Sequence, residues 1–319
     1  MAELRWNPLL ATWTMVATNR QNRPHLPKNW CPFCPGEGKN VPDNFTVISY
    51  LNDFPVLSQT PDAIASNSPF FMNEEAYGKC EVILYSPDHE AKLYELADSH
   101  LLELGLLWKN RYVELSQDEK IKYIYEFENR GEEVGVTMPH PHGQLYAYSW
   151  IPEKIEKELV NSKKYFEKTN RNLFDDMNIA ETQYQKRVLF ENESFVAYIP
   201  YFTDYPFGIF IVAKNKLTCI AQFSDMVIAD FMQAIKLITK AFDNVFDRPF
   251  PYVMAMHQSP VNSSEWMECD KFYRFHVEFY PPLRAKDKIK WYAGSELGAG
   301  AAANPLDVDE CAALLKQHI

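Results

Sequence analysis

The chain has 319 residues, of which 46% are hydrophobic and 24% charged, and its net charge is −11. That length allows about two domains of roughly 150 residues each, with enough buried surface for a proper core. The composition excludes a disordered, collagenous or low-complexity chain, and the acidic balance sets the surface against nucleic acid and anionic membrane as partners.

Aromatic residues reach 14%, and 21 prolines outnumber 11 glycines, which predicts a strand-rich fold with rigid turns. Residues 1–60 read as short strands and turns around a proline-rich stretch that holds Cys31-Pro32-Phe33-Cys34-Pro35-Gly36. A compact apolar strand at 80–85 ends in the turn Ser86-Pro87-Asp88-His89. Asp98 is placed to cap a helix over 99–116, with Leu101, Leu104 and Val113 among its apolar positions. Alternation predicts strands at 121–128 and 144–150, and a charged helix follows over 153–170. Further strands cover 187–199 and 207–213, and Ser224 caps a long helix to about residue 246. Strands return at 252–257 and 272–279, and a short helix at 307–318 closes the chain.

The two halves rhyme: strand, polar turn, capped helix and two strands occur at 80–150 and again at 207–280. Residue identity between them is low, so only the order of elements repeats. Strands and helices do not alternate regularly, which predicts an α+β fold of mainly antiparallel sheets with packed helices. The layout reads as a tandem duplication, with halves at 1–170 and 171–319 and the break near 160–185.

No run of about 18 apolar residues occurs, and the most apolar stretch, 206–213, is strand-sized. The first ten residues carry Glu3 and lack a signal peptide's apolar segment, so the chain reads as cytoplasmic. In that compartment Cys31, Cys34, Cys80, Cys219, Cys269 and Cys311 are expected as thiols or metal ligands rather than disulfides.

The strongest local signal is His140-Pro141-His142-Gly143-Gln144. Positions two apart on a strand share a face, so both imidazoles can aim at one site. Pro141 stiffens the backbone between them, Gly143 admits a ligand close to the main chain, and the Gln144 amide can donate to an oxyanion. The plain alternative is a pair of packed or surface histidines, which five such residues in a row disfavour. The second signal is the Cys31/Cys34 pair, whose thiolates across a tight turn suit tetrahedral zinc. A redox pair usually opens a helix after a strand, and no helix pattern follows here. Histidines supply the remaining ligands, and spacing does not decide which. A third cluster is His257, His276 and Glu278, the last two on one strand face. With an additional carboxylate it suits a divalent metal; a hydrogen-bonded polar pair at a strand end is the rival. Arg20 and Arg23 are suited to phosphate, although alone they also fit a solvated turn, as do Lys286, Lys288 and Lys290.

Together with Phe127-Glu128-Asn129-Arg130-Gly131 upstream, the HPHGQ segment resembles the galactose-1-phosphate uridylyltransferase family, the nucleotidyltransferase branch of the histidine-triad superfamily. The resemblance runs through Asn7-Pro8-Leu9, Arg20 and Arg23, CPFCPG, Asn52-Asp53-Phe54-Pro55, Ser86-Pro87-Asp88-His89 and His257. It continues in Phe279-Tyr280-Pro281-Pro282-Leu283 and Ala293-Gly294-Ser295-Glu296. It implies two histidine-triad-like halves and a ping-pong exchange between UDP-glucose and galactose 1-phosphate. In it His142 is the nucleophile that becomes uridylylated, and Gln144 holds phosphoryl oxygens. The zinc ligands it implies are Cys31, Cys34, His89 and His140. A second divalent metal, iron(II) or zinc, falls to Glu158, His257, His276 and Glu278, although the family's common pattern has histidine at the position of Glu278. Nucleotide contacts fall on Arg20, Arg23, Asn52, Asp53, Asn129, Gly135, Thr137 and Gln144, with Thr137 replacing a serine. Lys290 and Glu296 match positions near the hexose and phosphate, contributed across a homodimer interface. A related nucleotide-sugar phosphorylase or adenylyltransferase, and a zinc-stabilised binding module without turnover, are the competing readings.

Overall fold

Alternation sets the layers. Along Tyr123–Arg130, the aromatic side chains of Tyr123, Tyr125 and Phe127 turn to one face and Ile124 to the other. The computed structural model describes residues 2–22, 30–36, 41–61 and 68–319, and it places this strand near the middle of a nine-stranded antiparallel sheet.

The strands of the first half are β1 (Ala2–Asn7), β2 (Thr12–Ala17), β3 (Ile48–Leu51), β4 (Asn73–Glu75), β5 (Gly78–Leu84), β6 (Tyr123–Arg130) and β7 (His142–Tyr148). Those of the second are β8 (Val188–Glu191), β9 (Phe195–Tyr198), β10 (Ile209–Ala213), β11 (Tyr252–His257), β12 (His276–Tyr280), β13 (Leu283–Ala285) and β14 (Lys288–Ile289). β1, β2 and β4 form a small separate sheet, and β13 pairs with β14. The large sheet runs β3-β5-β7-β6-β11-β12-β10-β9-β8. Outward from the β6–β11 junction, each half lays down its strands alike: β6, β7, β5 on one side and β11, β12, β10 on the other. Registers match as well. Gln144 lies opposite Val82 and Phe127, and Glu278 lies opposite Phe210 and Ala255. The repeated element order is therefore a repeated placement, fused into one sheet by pairs such as Val253–Asn129.

One face is covered by α1 (Asp98–Leu115) and α4 (Asp225–Val245). They bury Leu104, Trp108, Phe231 and Ile235 against Ile124, Leu145 and Val277 of the sheet. Each such side chain contributes about 1.5–3 kcal/mol by leaving water. A Cβ at Gly105 of α1 would lie 2.4 Å from Cγ2 of Ile228, so glycine stands where α4 crosses. The opposite face packs against α2 (Glu153–Thr169) and α3 (Leu173–Tyr184), through Ile155, Leu159 and Phe174 with Tyr148, Tyr198 and Val212. His142, Gln144, His276 and Glu278 belong to this second face. The chain ends with α5 (Gly294–Ala299) and α6 (Val308–Lys316). Among the described residues no helix is long and apolar enough to cross a membrane.

Ser224 caps α4 as expected, its hydroxyl accepting from the Val227 N–H. Asp98 does not cap α1. It is the first helical residue, and its carboxylate accepts from Lys236 of α4 at 2.7 Å. The strand expected from 272 begins only at His276, because Cys269–Lys271 forms a 3-10 turn and the Tyr273 N–H bonds back to the Cys269 carbonyl. The stretch where the sequence places the break holds α3, which alternation and helix periodicity do not register. Asn172 caps it, accepting from the N–H groups of Phe174 and Asp175.

Candidate active site

β7 begins at His142, so His140 and Pro141 belong to the loop that feeds the strand. The Tyr85 N–H donates to the Pro141 carbonyl at 3.1 Å, which ties this loop to the end of β5. Nδ1 of His142 lies 2.7 Å from the His140 carbonyl oxygen. A carbonyl only accepts, so Nδ1 carries the proton and the neutral ring keeps its lone pair on Nε2. The ring is 8% exposed and meets the edge of Phe33, with centroids 5.0 Å apart. Phe33 is the residue between the two cysteines, so the cysteine turn also buttresses His142. A Cβ at Gly143 would come 2.3 Å from the Tyr85 hydroxyl, which accounts for the glycine.

Gln144 follows on the same face and is buried. Its Oε1 accepts from the Tyr146 hydroxyl at 3.3 Å, and the Arg20 guanidinium donates to that hydroxyl at 3.4 Å. The relay points the two Gln144 N–H groups away from Tyr146. Tyr146 was legible as another residue of that face, two positions beyond Gln144, but sequence reasoning passed over it. A cavity of about 340 Å³ opens beside the strand, lined in part by His142, Asn129, Glu128, Gly131 and Met138. Glu128 has one carboxylate oxygen without a hydrogen-bond partner. Burial, eased by Arg130 and Tyr252, pushes its pKa up to about 7.

Cys31, Cys34, His89 and His140 come together, their ligand atoms all within 4.8 Å of one another. Cys34 Sγ lies 3.4 Å from Nδ1 of His89 and 3.5 Å from Nδ1 of His140, and Cys31 Sγ lies 3.8 Å from the latter. A tetrahedral ion with bonds of about 2.0–2.3 Å spaces its ligands roughly 3.3–3.8 Å apart, so the set fits a metal. Nε2 of His140 donates to the Ser86 carbonyl at 2.8 Å, leaving Nδ1 for the ion.

The second cluster assembles too, around β11, β12 and α2. Glu158, His257, His276 and Glu278 bring their ligand atoms within 4.8 Å of one another. His257 Nδ1 is 2.9 Å from Glu158, and Nδ1 of His276 donates to the Arg274 carbonyl at 3.0 Å. Nε2 of His276 therefore faces Glu278 at 3.5 Å and Glu158 at 3.7 Å. With Nδ1 committed to Arg274, the two carboxylates favour positive charge at Nε2, either a proton on the ring or a bound cation, so this donor set also fits a metal. Burial opposes ionisation of Glu278, but His257, the His276 hydrogen bond and Lys154 hold its pKa well below the ordinary carboxylate range.

The remaining predicted residues are scattered around these sites. Asn52 is half-buried with its side chain capping the Phe54 N–H, and Asp53 is exposed. Gly135 sits in an exposed left-handed turn, φ +82°. The Thr137 hydroxyl is buried without a hydrogen-bond partner. Lys290 is buried, 4.2 Å from the centre of the Tyr292 ring and 3.7 Å from Glu296, and its ammonium likewise has no hydrogen-bond partner. Arg23 lies outside the described residues.

Comparison with known proteins agrees with this geometry. The family model for the galactose-1-phosphate uridyl transferase N-terminal domain matches residues 1–152, and that for its C-terminal domain matches 158–312. A galactose-1-phosphate uridylyltransferase of Thermotoga maritima is 35% identical over 99% of this chain and 98% of its own. One from Haemophilus influenzae is 30% identical over 92% of this chain and 88% of its own. A solved uridylyltransferase structure matches with a TM-score of 0.89 and 26% identity, covering 99% of this chain and 98% of that one. An ADP-glucose phosphorylase of Arabidopsis thaliana, solved with ADP-glucose bound, shares the fold at a TM-score of 0.75 and 23% identity, with 99% of each chain covered. With both domain models matched in order and relatives similar over nearly its whole length, this chain belongs to the galactose-1-phosphate uridylyltransferase family.

Proposed function

We propose that the protein exchanges a uridylyl group between UDP-glucose and galactose 1-phosphate through a covalent intermediate on His142. The observation that carries this reading is the 2.7 Å hydrogen bond from His142 Nδ1 to the His140 carbonyl, which fixes the proton on Nδ1 and leaves Nε2 as the nucleophilic nitrogen, on the strand face that Gln144 shares. Nε2 attacks the α-phosphorus, the bond to the bridging oxygen breaks, and glucose 1-phosphate leaves. The Nδ1 proton stays in place, and the His140 carbonyl offsets the charge on the ring. A phosphate oxygen of galactose 1-phosphate then attacks the same phosphorus, forming UDP-galactose and freeing His142. Gln144, oriented by Tyr146 and Arg20, offers N–H donors to the phosphoryl oxygens.

Arg20, Arg23, Asn52, Asp53, Asn129, Gly135 and Thr137 bind the nucleotide in this reading, and the unpartnered Thr137 hydroxyl supports its share. Lys290 and Glu296 reach the hexose phosphate of a partner subunit in a homodimer; the Lys290 ammonium makes no hydrogen bond and only a 3.7 Å ion pair with Glu296, which supports an anion arriving from outside. Zinc on Cys31, Cys34, His89 and His140 would supply structural rigidity at the base of β7. The second cluster would take iron(II) or zinc. The protein acts in the cytoplasm, and the division at 1–170 and 171–319 is part of the same reading.

The test is to incubate the protein with UDP-glucose alone and measure intact mass. A one-UMP adduct is expected, discharged by galactose 1-phosphate. Absence of the adduct, or an adduct that persists in His142→Ala, overturns the reading. Discharge by inorganic phosphate, with UDP released, would instead favour the phosphorylase chemistry of a protein that shares this fold.

A further inference from the structure

α2 sends two side chains into the second cluster. Lys154 and Glu158 are four residues apart, on one face of the helix. Lys154 does not pair with Glu158. Its ammonium donates to Glu278 at 2.5 Å and to the Tyr280 hydroxyl at 2.6 Å, and lies 4.6 Å from the centre of the Tyr280 ring. Tyr280 also donates to Glu278 and lies 3.4 Å from Nε2 of His257. A lysine in the first turn of a helix works against the helix dipole, so what holds it inward is the carboxylate. Glu278 is 4% exposed, while the Lys154 side chain remains 55% exposed. One partner is buried and fixed; the other can swing out into water.

Lys154 holds Oε2 of Glu278, while Oε1 faces His276 at 3.5 Å. We infer that Lys154 is a resident cation of this cluster, which keeps Glu278 in place when no metal is bound and competes with a divalent ion on Oε1 for the charge of that carboxylate. The inference rests on reading Glu158, His257, His276 and Glu278 as a metal site. A metal ligated by one oxygen of Glu278 competes with the ammonium for the same negative charge, and Lys154 thereby lowers the site's affinity. Its outward swing leaves the four ligands where they already stand.

The test uses the full chain with its cysteine site kept filled with zinc, titrated with Mn²⁺, an ion that prefers oxygen and nitrogen donors to thiolate. Free Mn²⁺ is read by electron paramagnetic resonance. Lys154→Met is expected to bind Mn²⁺ about tenfold tighter than the native protein or more, and Lys154→Arg to resemble the native protein. Adding His276→Ala to Lys154→Met should abolish the gain. Without Mn²⁺, Lys154→Met should melt at a lower temperature, and Mn²⁺ should restore it. Equal Mn²⁺ binding by the native protein and Lys154→Met overturns the inference while leaving the metal site standing. No binding by either overturns both. A gain that survives His276→Ala, or an unchanged metal-free melting temperature, overturns the inference as well. The UMP adduct on His142, measured on the same preparations, reports separately on the transfer reaction.

Discussion

His142 and His276 occupy the same place in the two halves. Each opens the middle strand of its half, and each donates its Nδ1 proton to the carbonyl two residues earlier, His140 in one case and Arg274 in the other. Two positions on, the halves part company: Gln144 in β7 and Glu278 in β12, each opposite an equivalent residue of the neighbouring strands. In the first half Nε2 shares its strand face with a neutral amide. In the second it faces two carboxylates within 3.7 Å. Unit charges about 4 Å apart at an effective dielectric near 20 interact by about 4 kcal/mol. That repels a phosphoryl group from His276 and attracts a metal ion. One backbone device thus serves a nucleophile or a metal ligand, and the charge two residues downstream decides which.

The sharpest way to break this comparison is to exchange the two histidines' fates. His142→Ala should lower uridylyl transfer by about ten-thousandfold or more and remove the UMP adduct. His276→Ala should keep the adduct, as judged by intact mass after UDP-glucose. Loss of the adduct in both variants would end the division of labour.

The cysteine site comes next, because the second half has no counterpart to it in the loop feeding β12. Cys34→Ser should release the metal, measured by elemental analysis, and reduce stability by several kcal/mol, on the order expected for a structural zinc. An unchanged melting temperature in a protein purified without zinc would remove the site from the account.

The face of the sheet covered by α1 and α4 offers a third contrast. β6 buries Glu126 and Glu128 where β11 buries Met254 and Met256. Burial, eased by its own backbone N–H and by Gln258, pushes Glu126 up to about 8. The folded state therefore holds a proton that the unfolded state releases near 4.5. That stability is complete below the unfolded value and is lost as pH rises toward 8. Glu126→Gln should remove this slope, worth at most about 4 kcal/mol between pH 5 and pH 8. Melting curves at the two pH values check it: the variant should gain on the native protein as pH rises. A parallel response would place the proton elsewhere.

The smallest expected effect sharpens the comparison at the downstream position itself. Gln144→His should slow sugar transfer about a hundredfold, since a preorganised donor is lost. It should also raise the ratio of UMP released to UDP-galactose formed, because an imidazole can move protons near pH 7 where an amide cannot. A native ratio at full transfer rate would mean that Gln144 does not hold the intermediate.

Much of this was legible in the residues. The short spacings carried HPHGQ and the cysteine turn, because strand alternation and a four-residue turn are local geometry. The gathering of His89 with Cys34, or of Glu158 with His257, spans 55 and 99 residues and depends on how strands pair. Family resemblance supplied those sets, where spacing alone could not. Lys154 was invisible for a different reason. A lysine in a charged helix reads as solvated, and only the placement of α2 over β12 turns it onto Glu278. The Asp98 cap failed because a distant lysine, Lys236, competed for the carboxylate. Asn172 was a readable cap signal, with acidic Asp175 and Asp176 in the first turn of the helix it starts.

The β6–β11 junction has a consequence for how the molecule holds together. Arg130, Asn129, Glu128 and Phe127 pair with Tyr252, Val253, Met254 and Ala255 across the boundary between the halves. If the halves were parted there, each would carry a bare interior strand as its rim, with unsatisfied amides and carbonyls inviting any other chain to pair. Neither half can be shed, swapped or produced alone without creating such a sticky rim. The same pairing sets the two histidine positions on one continuous sheet.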